Sequence, residues 1–253
     1  MRLDFYYWSY QCPINVEMLS LLSSYKDRLT IYTHDISNDP AVAKALRIYF
    51  PTLTIIEGSH RFFSPLSKAF LESICLGDMP IEKSSPRVLG SEVCAGDIVP
   101  ITKKNYRIAC GCTARECNSN CEQKINFLEK LGLNTYGYMN IIQGQLRGGA
   151  EYIPSALVPY DIPKADDIAF ISCVYLSTKE YDYKTPPLRA LEQYLGKRYR
   201  KALAITDEKG VFPNGDLAFF LRNGYSDMGI ISGEPGYCLL HLVKKSLENN
   251  ISI

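Results

Sequence analysis

Nine cysteines, at positions 12, 75, 94, 110, 112, 117, 121, 173 and 238, are the residues of this 253-residue chain whose type and spacing most suggest chemistry. Four of them, Cys110, Cys112, Cys117 and Cys121, fall in the segment CGCTARECNSNC. Four thiolates suffice for a tetrahedral zinc site. Their spacing differs from the paired Cys-x-x-Cys of zinc knuckles, and free or redox-active thiols are the other reading. The Gly, Thr, Asn, Ser and charged neighbours mark an exposed segment that could cover one side of a cleft. Cys12 stands apart in YWSYQCPIN, just ahead of an apolar helical spacing of Met18, Leu19, Leu22 and Tyr25. A thiol at a helix N-terminus gains from the positive end of the dipole and from unpaired amides, which lower its pKa. Its alternative is a packed, inert cysteine.

These residues need elements to position them. At 28.5 kDa the length suits one large domain or two small ones. The 46% hydrophobic, 22% charged composition belongs to a globular chain and excludes collagen-like and disordered classes. A net charge of +1 gives no global field for nucleic acid or anionic lipid. No signal peptide is visible in MRLDFYYWSYQCP, and the longest nearly apolar stretch, 168–176, is far too short to span a bilayer. A cytoplasmic chain without membrane or nucleic-acid partners is the expectation. His34, His60 and His241 are scattered without metal or triad spacing, and the basic run Lys197, Arg198, Arg200, Lys201 suits a helix C-terminus.

Residues 1–80 alternate as βαβαββα, with strands at LDFYYW, LTIYTHDI, TLTII and RFFSP. Helices are expected from Asn15, as N-cap, and over 40–48 and 66–76. Residues 81–96 read as a linker rich in Pro, Ser and Gly. Over 97–246, strands are expected at 97–101, 135–142, 150–153, 168–176, 200–205 and 237–243, with helices at 121–131, 188–199 and 216–223. Thr185-Pro186-Pro187 is a helix start signal, with Thr185 as the cap.

YWSYQCPIN at the end of the first strand resembles the active-site position of the thioredoxin fold, and FPTLTI resembles its Pro-Thr segment. The resemblance covers about 80 residues. It implies that Cys12 is the attacking thiol and that Pro51 is the proline that is usually cis. Asn15 stands where the second Cys would be, so only monothiol chemistry is available there.

Over roughly 95–245 the chain resembles the GCN5-related N-acetyltransferases (GNAT). The carrying segments are GGAEYIP, DIAFISCVYLS and DLAFFLRNGYSDMG, with CEQKINFLEKLG upstream. The resemblance implies acetyl-CoA in the cleft where the central strand splays from its neighbour, with pantetheine amides meeting the backbone of Val174 and Leu176. It implies Glu151 as the base; the alternative is a strand-edge carboxylate paired to Arg147 or a neighbouring Lys. Cys173, in the central strand, reads as a small core residue. Two departures stand out. EYDYKTPPLR occupies the phosphate loop without a glycine, leaving Lys179, Lys184 and Arg189 as the cationic donors. Phe220 stands at the general-acid tyrosine position, making Tyr225 a substitute acid or a packing residue.

The chain is thus expected to be α/β (α+β): a thioredoxin-like domain, then a GNAT-like mixed-sheet acyltransferase domain. Acetyl-CoA-dependent transfer to a small amine is the expected function. The alternative is a catalytically degenerate GNAT-like scaffold sensing oxidant or metal through Cys12 and the 110–121 cluster, with zinc as its metal.

Overall fold

A computed structural model describes residues 1–9, 11–84, 90–113, 119–212 and 214–247. The chain divides into two units. One holds Met1–Lys83 with Asn118–Lys130 and Pro159–Asp161; the other holds Ser84–Cys117, Leu131–Val158 and Ile162–Ile253.

In the first unit, alternating apolar residues and short helical stripes generate β1 (Arg2–Tyr7), α1 (Ile14–Ser23), β2 (Thr30–Asp35), α2 (Pro40–Ala45), β3 (Thr52–Ile56), β4 (His60–Phe62) and α3 (Lys68–Cys75). The order is the βαβαββα read from the sequence. Its sheet runs β2-β1-β3-β4, with β1 parallel to β2 and antiparallel to β3. Leu3 and Phe5 point to one face, where they meet Met18 and Leu22 of α1 and Leu71 and Ile74 of α3. Asp39 caps α2 by accepting from the Val42 amide at 3.0 Å, and Ser67 caps α3 through the Phe70 amide at 3.2 Å. Asn15 is not a cap. The first turn closes earlier, with the Asn15 amide donating to the Cys12 carbonyl, so Asn15 is the second residue of α1, and its side-chain amide donates to the Ser9 carbonyl at 2.7 Å. Among the described residues no peptide bond is cis, so the proline expected to be cis at position 51 is trans.

The rest of the chain forms β5 (Glu92–Val93), β6 (Asp97–Ile101), α4 (Tyr106–Ala109) and a 3-10 turn, Cys110–Thr113. Then come α5 (Ser119–Lys130), which belongs to the first unit, β7 (Gly137–Ile142), β8 (Gln145–Pro154), β9 (Ile168–Tyr175) and β10 (Tyr181–Asp182). The series closes with α6 (Thr185–Leu195), β11 (Lys201–Asp207), α7 (Leu217–Arg222), β12 (Ser226–Glu234) and β13 (Cys238–Ser246). Seven strands make one mixed sheet in the order β12-β13-β11-β9-β8-β7-β6, parallel only between β9 and β11. β12 carries no sequence signal. It is an edge strand with one partner, mostly exposed and twice out of register, so nothing forces apolar alternation on it.

One face of this sheet packs against α6 and α7. Leu188, Leu191 and Leu195 of α6, all buried, meet Ala150, Ile171, Val174 and Ala204. Part of the sequence-read linker is structured: β5 pairs in parallel with β10, and the Gly90 amide donates to the Thr178 carbonyl at 2.9 Å. Two glycines of GGAEYIP let backbone and ring come close. A side chain at Gly148 would collide with the Tyr183 carbonyl, and one at Gly149 with the Tyr175 ring. Among the described residues no helix is long and apolar enough to cross a membrane.

Because the obstacle at Gly148 is backbone, Gly148→Ala is expected to destabilise the chain by about 1–3 kcal/mol, the usual range for overpacking. Urea unfolding checks this, and an unchanged midpoint would show that the 177–185 loop does not lie against β8.

Candidate functional site

β9 and β11 pair from Ile168/Lys201 to Ile171/Ala204 and then part, β9 staying with β8 and β11 with β13. The parting leaves inward backbone groups in need of partners. Asn214, buried, supplies them. Its Oδ1 accepts from the Val174 amide at 2.9 Å and its Nδ2 donates to the Ile205 carbonyl at 3.1 Å. Beside it, the Thr206 hydroxyl donates to the Gly215 carbonyl at 2.8 Å. The Val174 amide, expected to serve pantetheine, is therefore committed to this chain's own carboxamide. Leu176 follows β9 in a left-handed conformation, φ 57°.

Beyond the gap the 177–185 loop folds on itself. Thr178 Oγ1 accepts from the Tyr181 amide at 3.0 Å, and Ser177 Oγ accepts from the Tyr183 amide at 3.3 Å. Asp182, 4% exposed, turns its carboxylate onto the start of α6. Oδ1 accepts from the Lys184 and Thr185 amides at 2.9 and 3.0 Å, and Oδ2 accepts from the Thr185 hydroxyl at 2.6 Å. Thr185 is thus the first helical residue and not the cap; the carboxylate three residues earlier does that work. Of the three expected cationic donors, Lys179 and Arg189 are exposed, whereas Lys184 is buried. Its ammonium lies 4.2 Å from the Phe219 ring centroid and 3.5 Å from the Asn214 carbonyl. Burial pushes Lys184 down to about 8, against the opposing pull of Asp182 and Asp216.

Glu151 sits on the other face of the sheet, opposite Cys173 in register. It is buried, and the Tyr106 hydroxyl donates to both carboxylate oxygens at 3.2 and 3.1 Å. Arg147, the partner weighed from sequence, donates to Gln145 instead at 2.7 Å. Burial first, then the Glu151 charge, drives the Tyr106 and Tyr175 phenols well above the usual tyrosine range, so both stay protonated. Cys110 and Cys112 contribute to the same push on Tyr106, Cys112 and Cys173 to that on Tyr175. Helix spacing explains the meeting: Tyr106 and Cys110 lie four residues apart on α4 and its 3-10 extension, on the side packed against β8. Tyr106 and Tyr175, the two phenols that feel the carboxylate, thus also feel two cysteines of the cluster and Cys173. Cys117 lies outside the described residues, and of Cys121 only its place in α5 is described. Among the described residues no three His, Cys, Asp or Glu side chains are grouped to hold a metal.

Tyr225 does not face this carboxylate. It is buried against Phe220, ring centroids 5.1 Å apart, and burial followed by the Glu192 charge pushes its phenol far up. Glu192 is ion-paired with Lys245, whose ammonium also donates to the Asn223 carbonyl at 2.8 Å. Cys12 is half-buried in the first unit, where Trp8 packs edge-on to Tyr160 at 5.3 Å. Sequence reading missed Asn214 and the role of Asp182. FPNGD offers no signal for a strand bridge, but an Asp just before a Thr-Pro-Pro helix start is a legible cap.

No family profile and no curated protein matches this chain. Among solved structures it is similar to the ribosomal-protein-alanine N-acetyltransferase of Brucella melitensis, at 16% identity and TM-score 0.43, over 60% of this chain and 100% of that one. It is similar also to an acetyltransferase of the GNAT family from Streptococcus pneumoniae, at 9% identity and TM-score 0.44, over 60% and 98%. A third is an aminoglycoside 6'-N-acetyltransferase complexed with coenzyme A, at 13% identity and TM-score 0.42, over 60% and 97%.

Lys184 makes stability depend on pH. The unfolded chain holds this proton up to about 10.5, the folded chain only to about 8. Between those values the unfolded state binds more protons, so stability rises with pH across that window, by on the order of 3 kcal/mol from this group. Urea unfolding at pH 7.5 and 10 should show the rise, and Lys184→Met should abolish it; an equal rise in the variant would refute the assignment.

Proposed function

We propose that this chain is a thiol-responsive scaffold of two parts. The first unit is a thioredoxin-like module with one thiol, Cys12, at the position where that fold places its attacking cysteine, and with Asn15 where the second cysteine would be. The second is a GNAT-like module that keeps the sheet of an acyltransferase without its transfer chemistry. The observation that carries this reading is Asn214 bridging Val174 to Ile205, which closes with protein the gap an acyl donor would enter. Phe220 has no proton to give, Tyr225 faces Glu192, and Glu151 is engaged by Tyr106.

Reactivity then rests with thiols. Cys12, Cys112 and Cys173 are half-buried, and Cys12 stands just ahead of α1, whose N-terminus favours a thiolate. Attack of such a thiolate on a peroxide, which cleaves the O–O bond to give a sulfenic acid and releases water or an alcohol, or on a small disulfide, which gives a mixed disulfide and releases a thiol, would alter local packing.

Acyl transfer to a small amine is the second reading. It is favoured by the parting of β9 and β11 and by a buried carboxylate on the adjacent strand. Product formation from acetyl-CoA and a panel of amines, lost in Glu151→Gln, would establish it.

The leading reading predicts that iodoacetamide labels Cys12 at neutral pH at least tenfold faster than it labels an unfolded peptide carrying the same thiol. Peptide mapping by mass spectrometry gives the rates, and equal rates would overturn a responsive Cys12.

A further inference from the structure

We infer that the N-terminus of α6 is closed to the diphosphate of a coenzyme A thioester because this chain's own Asp182 fills it. Any ligand diphosphate at a helix N-terminus needs free amides, the helix dipole and room for the backbone to approach. At the start of α6 the groups that would have to meet it are already in use. The Lys184 and Thr185 amides and the Thr185 hydroxyl all donate to Asp182. Pro186 and Pro187 have no amide, and the Leu188 amide already donates to the Lys184 carbonyl at 3.1 Å. Upstream, the amides of Tyr181 and Tyr183 are taken by the Thr178 and Ser177 hydroxyls.

Charge points the same way. The dipole's positive end is met by a carboxylate, so an incoming diphosphate would face a like charge in a buried setting where screening is weak. Lys184 offers no compensation, since its ammonium is held between the Phe219 ring and the Asn214 carbonyl. Nor is the carboxylate loosely placed. Thr185 continues to Asn223, whose Nδ2 lies 3.1 Å from the Thr185 hydroxyl, and Asn223 continues to Lys245 and Glu192. The Cys94 amide also donates to the Asp182 carbonyl at 3.0 Å, tying the loop to the segment after β5.

This inference uses the GNAT-like reading only to choose the ligand; the thiol reading can fail without it. Calorimetry on the full chain, with coenzyme A and with inorganic pyrophosphate at millimolar concentration, tests it. The unaltered protein should bind neither. Asp182→Gly, which frees two amides and removes the charge, should bind pyrophosphate at least tenfold more tightly than the unaltered protein. Asp182→Asn, which keeps an acceptor in place, should stay closed. Binding of either ligand by the unaltered chain, or no gain in Asp182→Gly, overturns the inference. Should the glycine variant not fold, hydrogen exchange of the unaltered protein decides. The Lys184 and Thr185 amides are expected to be protected and unaffected by pyrophosphate, and a ligand-induced change in their exchange would overturn the inference.

Discussion

Two parallel strands that begin paired and then part create the demand that shapes the second unit. Beyond Ile171 and Ala204, β9 and β11 each have a partner on one side only, and a buried strand edge without hydrogen-bond partners costs free energy for every group left bare. Asn214 answers the demand with a single carboxamide, which accepts on one side and donates on the other as a peptide group would. Gly215, at φ +105°, lets the chain turn there, and the Thr206 hydroxyl holds its carbonyl. What a ligand backbone could supply in such a gap, a side chain supplies here.

The polar interior beside the gap follows from the same economy of partners. Asp182, Thr185, Asn223, Lys245 and Glu192 are joined in sequence, running from the start of α6 to the end of α7 and on to β13. Each member satisfies a group that burial would otherwise penalise, including the last carbonyls of the short helix α7 and the first amides of α6. Lys184 stands beside this chain, and the pull of Asp182 and Asp216 on its ammonium does not offset its burial. That is why burial lowers its pKa while the Glu192–Lys245 pair keeps its charges together. Glu151, on the opposite face, is likewise held by hydroxyl donation, so it is a structural partner before it is anything else.

The first unit is simpler and depends on ordinary alternation. The one buried carboxylate among its described residues, Asp4, is met by the Arg2 guanidinium at 2.7 Å and by His34 at 3.0 Å, and the Arg2 contact, with His34 adding to it, holds its pKa below the usual range. Excursions from distant sequence complete its core: Tyr160, from the connection between β8 and β9, is buried against Trp8 and Tyr49. A reader of sequence has no means of seeing that three residues leave one unit to pack in another, because nothing local distinguishes them from a loop.

Much of the architecture was legible in one dimension. Strand and helix positions, the βαβαββα order, the α6 start at Thr-Pro-Pro and the apolar stripe of Leu188, Leu191 and Leu195 all express local sterics and periodicity, which act within a few residues. The exposed edge strand β12 escaped because edge exposure relaxes that pattern. By itself the sequence determined most of the longer strands and helices, that the 177–185 loop carries no glycine, and that position 220 holds no acid. Only the tertiary structure decided who satisfies whom: that Asn214 spans the gap, that Asp182 takes the amides of α6, that Tyr106 takes Glu151, and that Lys184 faces inward. Those pairings join residues up to 45 positions apart, and they follow from the need to satisfy every buried polar group with whatever the fold brings near.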